Sequence, residues 1–256
     1  MSSLEKKIEK ILLEVAKPTR YLGHELNSVR KDHAKIAVKV LLAFPDVYEV
    51  GMSHLGLKIL YDEINKEKDK LAERTYAPWL DMEGIMRREG IPLFSLENKM
   101  PAKSFDVIGF TLQYELSYTN ILNMLSLAGI PLQAAERSEG YPLIIGGGPG
   151  AFNPEPLAPF FDLFLLGEGE KVFCRLLDSY AAHLKGGGGR DAFLLKAAQI
   201  KGIYVPSLYR DKYGPEGDFL ETIPVREGVP PRVAKVFVRN LDRAHFPEKY
   251  LVPYMG

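Results

Sequence analysis

Two glycine loops carry the residues best placed for chemistry. Gly146-Gly147-Gly148-Pro149-Gly150 and Gly167-Glu168-Gly169-Glu170 each follow directly on a short apolar run, residues 143–145 and 163–166. Glycine has no side chain to hold a ligand away from the backbone and tolerates positive φ, so such loops offer main-chain contacts. The competing use is a turn that lets strand and helix pack closely, and a glycine loop without a full fingerprint does not choose between them. Glu168 and Glu170 can accept hydrogen bonds from ligand hydroxyls or amides, or sit at the positive N-terminus of a following helix. Thr111 and Gln113, after the apolar run 106–112, add a hydroxyl and a carboxamide, with capping of a helix near Glu115 as their structural use. His54 in Met52-Ser53-His54-Leu55-Gly56 is one imidazole at a helix start, where capping is commoner than metal ligation. His24, His33, His183 and His245 share no ligand spacing with it, so no zinc site is expected. No serine–histidine–aspartate set can be argued.

These residues need elements to bring them together. The runs 143–145 and 163–166 contain no polar residue and end in glycine, as buried parallel strands do. Three further strands are predicted over 35–44, near 74–77 and over 106–112. Helices are predicted over 53–66 with Ser53 as N-cap, 80–88, 116–129 and 171–184, with a short crossover helix over 154–161. An amphipathic helix over 4–16 precedes them, packed on its own domain. The alternation calls for an α/β fold: a doubly wound, five-stranded parallel sheet, with an N-terminal helix and a C-terminal extension. Parallel strands put all their carboxyl ends on one edge, where open α/β sheets bind ligands. Trp79, the one tryptophan, reads as a core anchor.

The organisation that follows is an N-terminal helical segment (1–34), the α/β domain (35–185), and a connecting region (186–256). The last opens on the four glycines 186–189, which read as a linker. A helix over 192–199, a hairpin of 203–209 with 219–225, and a strand over 233–238 come next. The tail holds Phe246, Tyr250, Leu251, Val252 and Tyr254 with nothing of their own to pack on, and reads as a connection into another domain.

Composition narrows the class. Of 256 residues, 33 are basic and 33 acidic, without clusters, so no nucleic-acid footprint is visible. Cys174 is the single cysteine, which excludes an internal disulfide and leaves no cysteine set for zinc or an iron–sulfur cluster. A reducing cytoplasm is the expected compartment. No apolar run is long enough to span a bilayer: Lys39 interrupts one and Asp162 another.

With Thr111, Gly146-Gly147-Gly148-Pro149 and Gly167-Glu168-Gly169-Glu170 each following a strand, the chain resembles the cobalamin-binding domain at the N-terminus of many radical S-adenosylmethionine (radical SAM) proteins. Gly202-Ile203-Tyr204-Val205-Pro206 and Phe246-Pro247-Glu248-Lys249-Tyr250 are similar to the bridge into the radical SAM barrel of an uncharacterised subgroup. The resemblance implies a flavodoxin-like strand order, 2-1-3-4-5, and a cobalamin site. That site would comprise Tyr48, Ser53, His54, Gly56, Thr111, Gln113, Gly146, Gly147, Gly148, Pro149, Gly167, Glu168 and Gly169. Histidine-ligating relatives carry D-x-H-x-x-G after the first strand; here Asp46-Val47-Tyr48-Glu49-Val50-Gly51 has tyrosine at that position. A phenol must lose a proton with a pKa of about 10 to ligate, so cobalamin without a protein histidine on cobalt is expected.

The resemblance also implies a partner, the chain's own C-terminal radical SAM domain, with C-x-x-x-C-x-x-C beyond Gly256 holding a four-iron four-sulfur cluster. In the full-length protein that cluster would cleave S-adenosylmethionine to methionine and a deoxyadenosyl radical, with methylcobalamin as a methyl donor. These 256 residues alone would not be catalytic. Two other readings remain open: a degenerate docking or assembly module without cofactor, and a nucleotide-binding domain using the same loops.

Overall fold

A computed structural model describes residues 3–252. The first half of the chain runs α1 (Ser3–Ile11), β1 (Val38–Phe44), α2 (Tyr48–Ser53), α3 (Leu55–Lys66), β2 (Lys70–Tyr76), α4 (Leu80–Glu89) and β3 (Val107–Thr111). Then come α5 (Tyr118–Leu127), β4 (Leu143–Gly147), β5 (Leu163–Leu165), α6 (Glu170–Gly186), α7 (Arg190–Ala197), β6 (Ile203–Tyr204), β7 (Tyr209–Tyr213) and β8 (Phe219–Pro224). One sheet has the order β2-β1-β3-β4-β5-β6, and its first five strands pair in parallel as expected. The fold is a doubly wound α/β domain. Side chains along β1 alternate between two cores: Leu41 and Ala43 join α4 and α5 on one face, Val40, Leu42 and Phe44 join α3 and α6 on the other.

The sheet has six strands rather than five. Ile203 and Tyr204, expected in a hairpin, pair antiparallel with Leu165 and Phe164 and extend the sheet by one edge strand. The hairpin forms from β7 and β8 instead, a few residues later. Between β4 and β5 the expected crossover helix is a set of 3-10 turns, Glu155–Phe160. Pro156 and Pro159 lack the N–H that an α-helical ladder needs there. The expected helix over 53–66 forms as α3 from Leu55, with the short α2 before it, and His54 caps it in place of Ser53.

The four-glycine run makes a helix–helix turn. Gly187 takes a left-handed φ of 71° as the C-cap of α6, and α7 packs back so that the Tyr180 and Phe193 rings lie 4.7 Å apart. The strand expected over 233–238 is reduced to one parallel bridge, Gly167 to Val236. Beyond it the tail returns over the N-terminal segment and α3. Asn27 donates its backbone N–H to Leu251 O and its side chain to Tyr250 O, and His245 pairs with Asp62 at 2.6 Å. Leu251 is buried, Phe246 and Val252 are exposed, and Tyr254 lies outside the described residues. Trp79 is no core anchor: it is 51% exposed, with the Arg20 guanidinium over its ring at 5.4 Å.

β2 starts four residues earlier than its sequence suggests, because its charged residues are buried. Glu73 and Arg74 have fully buried side chains at a sheet edge. The chain 93–99 runs along that edge: Leu96 N–H bonds Arg74 O, and the Glu97 carboxylate accepts from both the backbone N–H and Nε of Arg74. Glu25, from the N-terminal segment, takes the two remaining guanidinium nitrogens at 3.1 and 2.8 Å. An open strand edge is thereby closed by side chains.

Lys99 locks the covering loop. It is 7% exposed, has a φ of 53°, and donates to Leu22 O and Leu96 O at 2.7 and 2.6 Å. Burial pushes its pKa down to about 8, with the Arg30 charge adding to the shift and Glu97 opposing it. A lysine that releases its proton earlier in the folded than in the unfolded chain costs stability below pH 8. That cost disappears as pH rises from about 8 toward the unfolded value of about 10.4. Urea unfolding at pH 7.5, 8.5 and 9.5 is expected to show the protein gaining stability relative to Lys99→Met across this range. The limit is about 1.4 kcal/mol per pH unit for one proton. Parallel profiles would refute the assignment.

Candidate functional site

The carboxyl ends of β1, β3, β4 and β5 open on one cleft of about 340 Å³. Its floor is apolar: Leu42, Gly109, Ile145 and Leu165 from one sheet face, Leu57 and Leu60 from α3, Phe173 from α6. Its mouth is polar and carries His54, Thr111, Gln113, Glu168 and Glu170. Gly56, Gly147, Gly148, Pro149, Gly167 and Gly169 complete the rim. Most of the site expected from sequence therefore converges, because parallel strands end together.

Three expected residues lie elsewhere. Tyr48 opens α2 on the β2 side, donates its hydroxyl to Glu25 Oε1 at 2.9 Å and meets the Tyr76 ring edge-on. Burial, with Glu25 next to it, raises its pKa and keeps the phenol protonated. Ser53 is exposed and donates to Val50 O. Gly146 is inside β4, where a Cβ would lie 2.7 Å from the Phe164 ring. Sequence reading missed the floor, although a lone glycine inside the strand 107–111 is a signal of close approach. At Gly109 the Phe173 ring would be 3.5 Å from a Cβ.

The glycines divide by what they are for. Gly148 has a φ of 109° and would clash with Leu112 O; Gly167 has a φ of 102° and would clash with Val236 O, 1.9 Å from its Cβ. Both are required by the chain itself. Gly147 and Gly169 are not: their nearest neighbours would be 3.7 and 3.9 Å from a Cβ, an ordinary contact. Their missing side chains leave the cleft open.

His54 is committed to the fold. Its Nδ1 accepts the Leu57 N–H at 3.1 Å, capping α3, and the ring also bonds the Gln113 side chain. Burial lowers its pKa, with Lys58 adding to the shift and Gln113 opposing it, so the ring is neutral at pH 7. A neutral imidazole has one lone-pair nitrogen, and here that nitrogen is Nδ1; the proton is on Nε2. Coordination through Nε2 would move the proton to Nδ1, against the Leu57 N–H, and forfeit the cap.

The last β5 loop holds the tail. Val236 N–H donates to Leu166 O, Glu168 N–H to Val236 O, and Val238 N–H to Glu168 Oε2. Lys235 sits over the Phe152 ring at 5.7 Å, so segment 235–238 touches the loops after both β4 and β5. Glu170 begins α6, and its Oε2 is buried with no hydrogen-bond partner among the described residues. No group of histidine, cysteine, aspartate and glutamate arranged for a metal ion occurs among them. No helix of the described residues is long and apolar enough to cross a membrane.

The fold is a doubly wound sheet with a cleft at its carboxyl edge, where open α/β sheets bind ligands. The model describing the N-terminal region of radical SAM proteins matches residues 56–206, over half of the chain. The chain belongs to this radical SAM N-terminal family. It is also 26% identical over 186 residues to an uncharacterized protein of Methanocaldococcus jannaschii. That match covers 70% of this chain and 34% of the relative, so the chain spans about a third of the relative's length.

Gly167→Ala is expected to destabilise the fold by about 1–3 kcal/mol, the cost of a strained φ, and to free segment 235–238. Urea unfolding reads the first. Faster hydrogen exchange at the Val236 and Val238 amides reads the second, and unchanged protection there would contradict the crossing.

Proposed function

We propose that this chain is the cobalamin-binding domain of a radical SAM protein, holding cobalamin in the carboxyl-edge cleft without histidine on the cobalt. The observation that carries the reading is the pair Gly147 and Gly169, whose lack of side chains is unexplained by packing and keeps the cleft open. An apolar slot under a polar mouth suits a ligand with a flat aromatic base and a ring fringed with amides. Thr111 and Gln113 offer polar contacts to those amides, and the floor residues exclude water from the buried part. When bound, cobalamin supplies a methyl group for transfer.

The fit is poor for the other cofactors of the family. Cys174 is the only cysteine, it lies within α6, and burial raises its pKa to about 11, so these residues offer no thiolate set for a cluster. Cluster and S-adenosylmethionine chemistry therefore belongs, in this reading, to a further radical SAM domain of the full-length protein. That domain is the proposed partner. Leu80 at the start of α4, with Leu116 and Phe152 in the turns after β3 and β4, stand 75, 86 and 57% exposed and would be covered by it.

Incubation with cobalamin, gel filtration and absorbance test the reading: co-elution is expected, and no co-elution from the full-length protein overturns it. His54→Ala is expected to leave the bound spectrum unchanged while costing about 0.5–2 kcal/mol of stability through the lost cap. Loss of imidazole-type features in that variant would restore histidine ligation.

A further inference from the structure

We propose a second binding site at the opposite edge of the sheet: a cavity beside Arg137 and Arg190 takes the carboxylate or phosphate end of a small molecule with an apolar body. The inference does not depend on the cobalamin reading. The cavity, of about 470 Å³, lies at the amino ends of β4 and β5. Asp162 immediately precedes β5, and Arg190 reaches back to the Tyr141 and Pro142 carbonyls just before β4. Ala135, Ala158, Pro159, Phe161 and Leu194 give the cavity an apolar wall. Arg137, Asp162 and Arg190, all with buried side chains, line it as well.

Two guanidiniums share one carboxylate here. Arg190 donates Nε to Asp162 Oδ1 at 3.2 Å and Nη2 to Oδ2 at 2.7 Å, and Arg137 donates Nη2 to the same Oδ2 at 3.3 Å. The Ile144 N–H also uses Oδ2. Burial lowers the Arg137 pKa, Asp162 opposes the shift and the Arg190 charge adds to it. A further anion would relieve the repulsion between the two buried cations. Glu139, which accepts the Arg190 backbone N–H, and Asp191, at the cavity, are both exposed, where water and salt screen them.

The second, independent observation is Arg137 Nε. Nη1 donates to Pro131 O and Leu132 O, and Nη2 also donates to Phe160 O. Nε is buried with no partner among the described residues. A buried N–H without an acceptor is costly, and an oxygen of a bound anion removes that cost through a charge-assisted hydrogen bond.

Benzoate and phenyl phosphate are the probes, with benzamide as an uncharged control of similar shape. In the isotopically labelled 256-residue chain, the Arg137 side-chain Nε–H resonance is expected to move saturably with at least one of the two anions. Benzamide is expected to bind about tenfold more weakly than the tighter anion, because charge-assisted hydrogen bonds are the stronger kind. Ala135→Trp puts a bulky ring into the cavity from an exposed turn and leaves the ion cluster intact. It is expected to weaken the anion by about tenfold or more, the equivalent of one lost hydrogen bond. No saturable shift with either anion, as for a site that holds only water, overturns the proposal. Benzamide binding as tightly as the anions overturns it too, as does anion binding unmoved by Ala135→Trp.

Discussion

A parallel sheet must be covered on both faces, and here that requirement places everything else. Crossover segments cover both sides: α4 and α5 bury one face while α3, α6 and α7 bury the other. The same geometry sends every strand's carboxyl end to one edge. A space is left between the sheet and the α3 and α6 side because Gly109 adds no side chain to the middle of β3. The cleft is thus a consequence of the winding together with a few absent side chains.

The opposite demand is met at β2. An edge strand exposes backbone donors and acceptors, and this one is closed by burying charge. Arg74 is held by Glu97 from one side and Glu25 from the other, so two distant segments are tied to one guanidinium. Removing one partner of such a set typically costs about 3–5 kcal/mol, because a buried charge is left uncompensated. The ion set therefore fixes which segments cover the edge, whatever its net contribution to stability.

The legible parts of the sequence were those where hydrophobicity and burial agree. The runs 106–112, 143–145 and 163–166 read as strands because apolar residues dominate them, and the strand order came with the family resemblance. Lys70, Glu73 and Arg74 did not read as a buried strand, since Glu73 and Arg74 depend on partners 23 to 49 residues away and Lys70 on Asp178 of α6. Ile203 and Tyr204 did not read as a sheet edge, because a two-residue strand carries no period. At the site, the loop residues were legible and their uses were not. By composition Ser53 is the expected cap, and only the geometry assigns the role to Nδ1 of His54, which accepts from Leu57.

Glycine motifs conflate two kinds of requirement that coordinates can separate. In Gly146-Gly147-Gly148-Pro149, one glycine yields to a phenylalanine ring, one leaves the cleft open, and one bends the chain at positive φ. In Gly167-Glu168-Gly169-Glu170, the first glycine makes way for Val236 and the second leaves space at the cleft. A pattern match weighs these alike, although a binding fold that had lost its ligand would still need Gly146, Gly148 and Gly167 to hold itself together. Only Gly147 and Gly169 could then acquire a side chain without straining the protein. Their identity is therefore the part of the motif that speaks for a ligand, and the others speak for the fold.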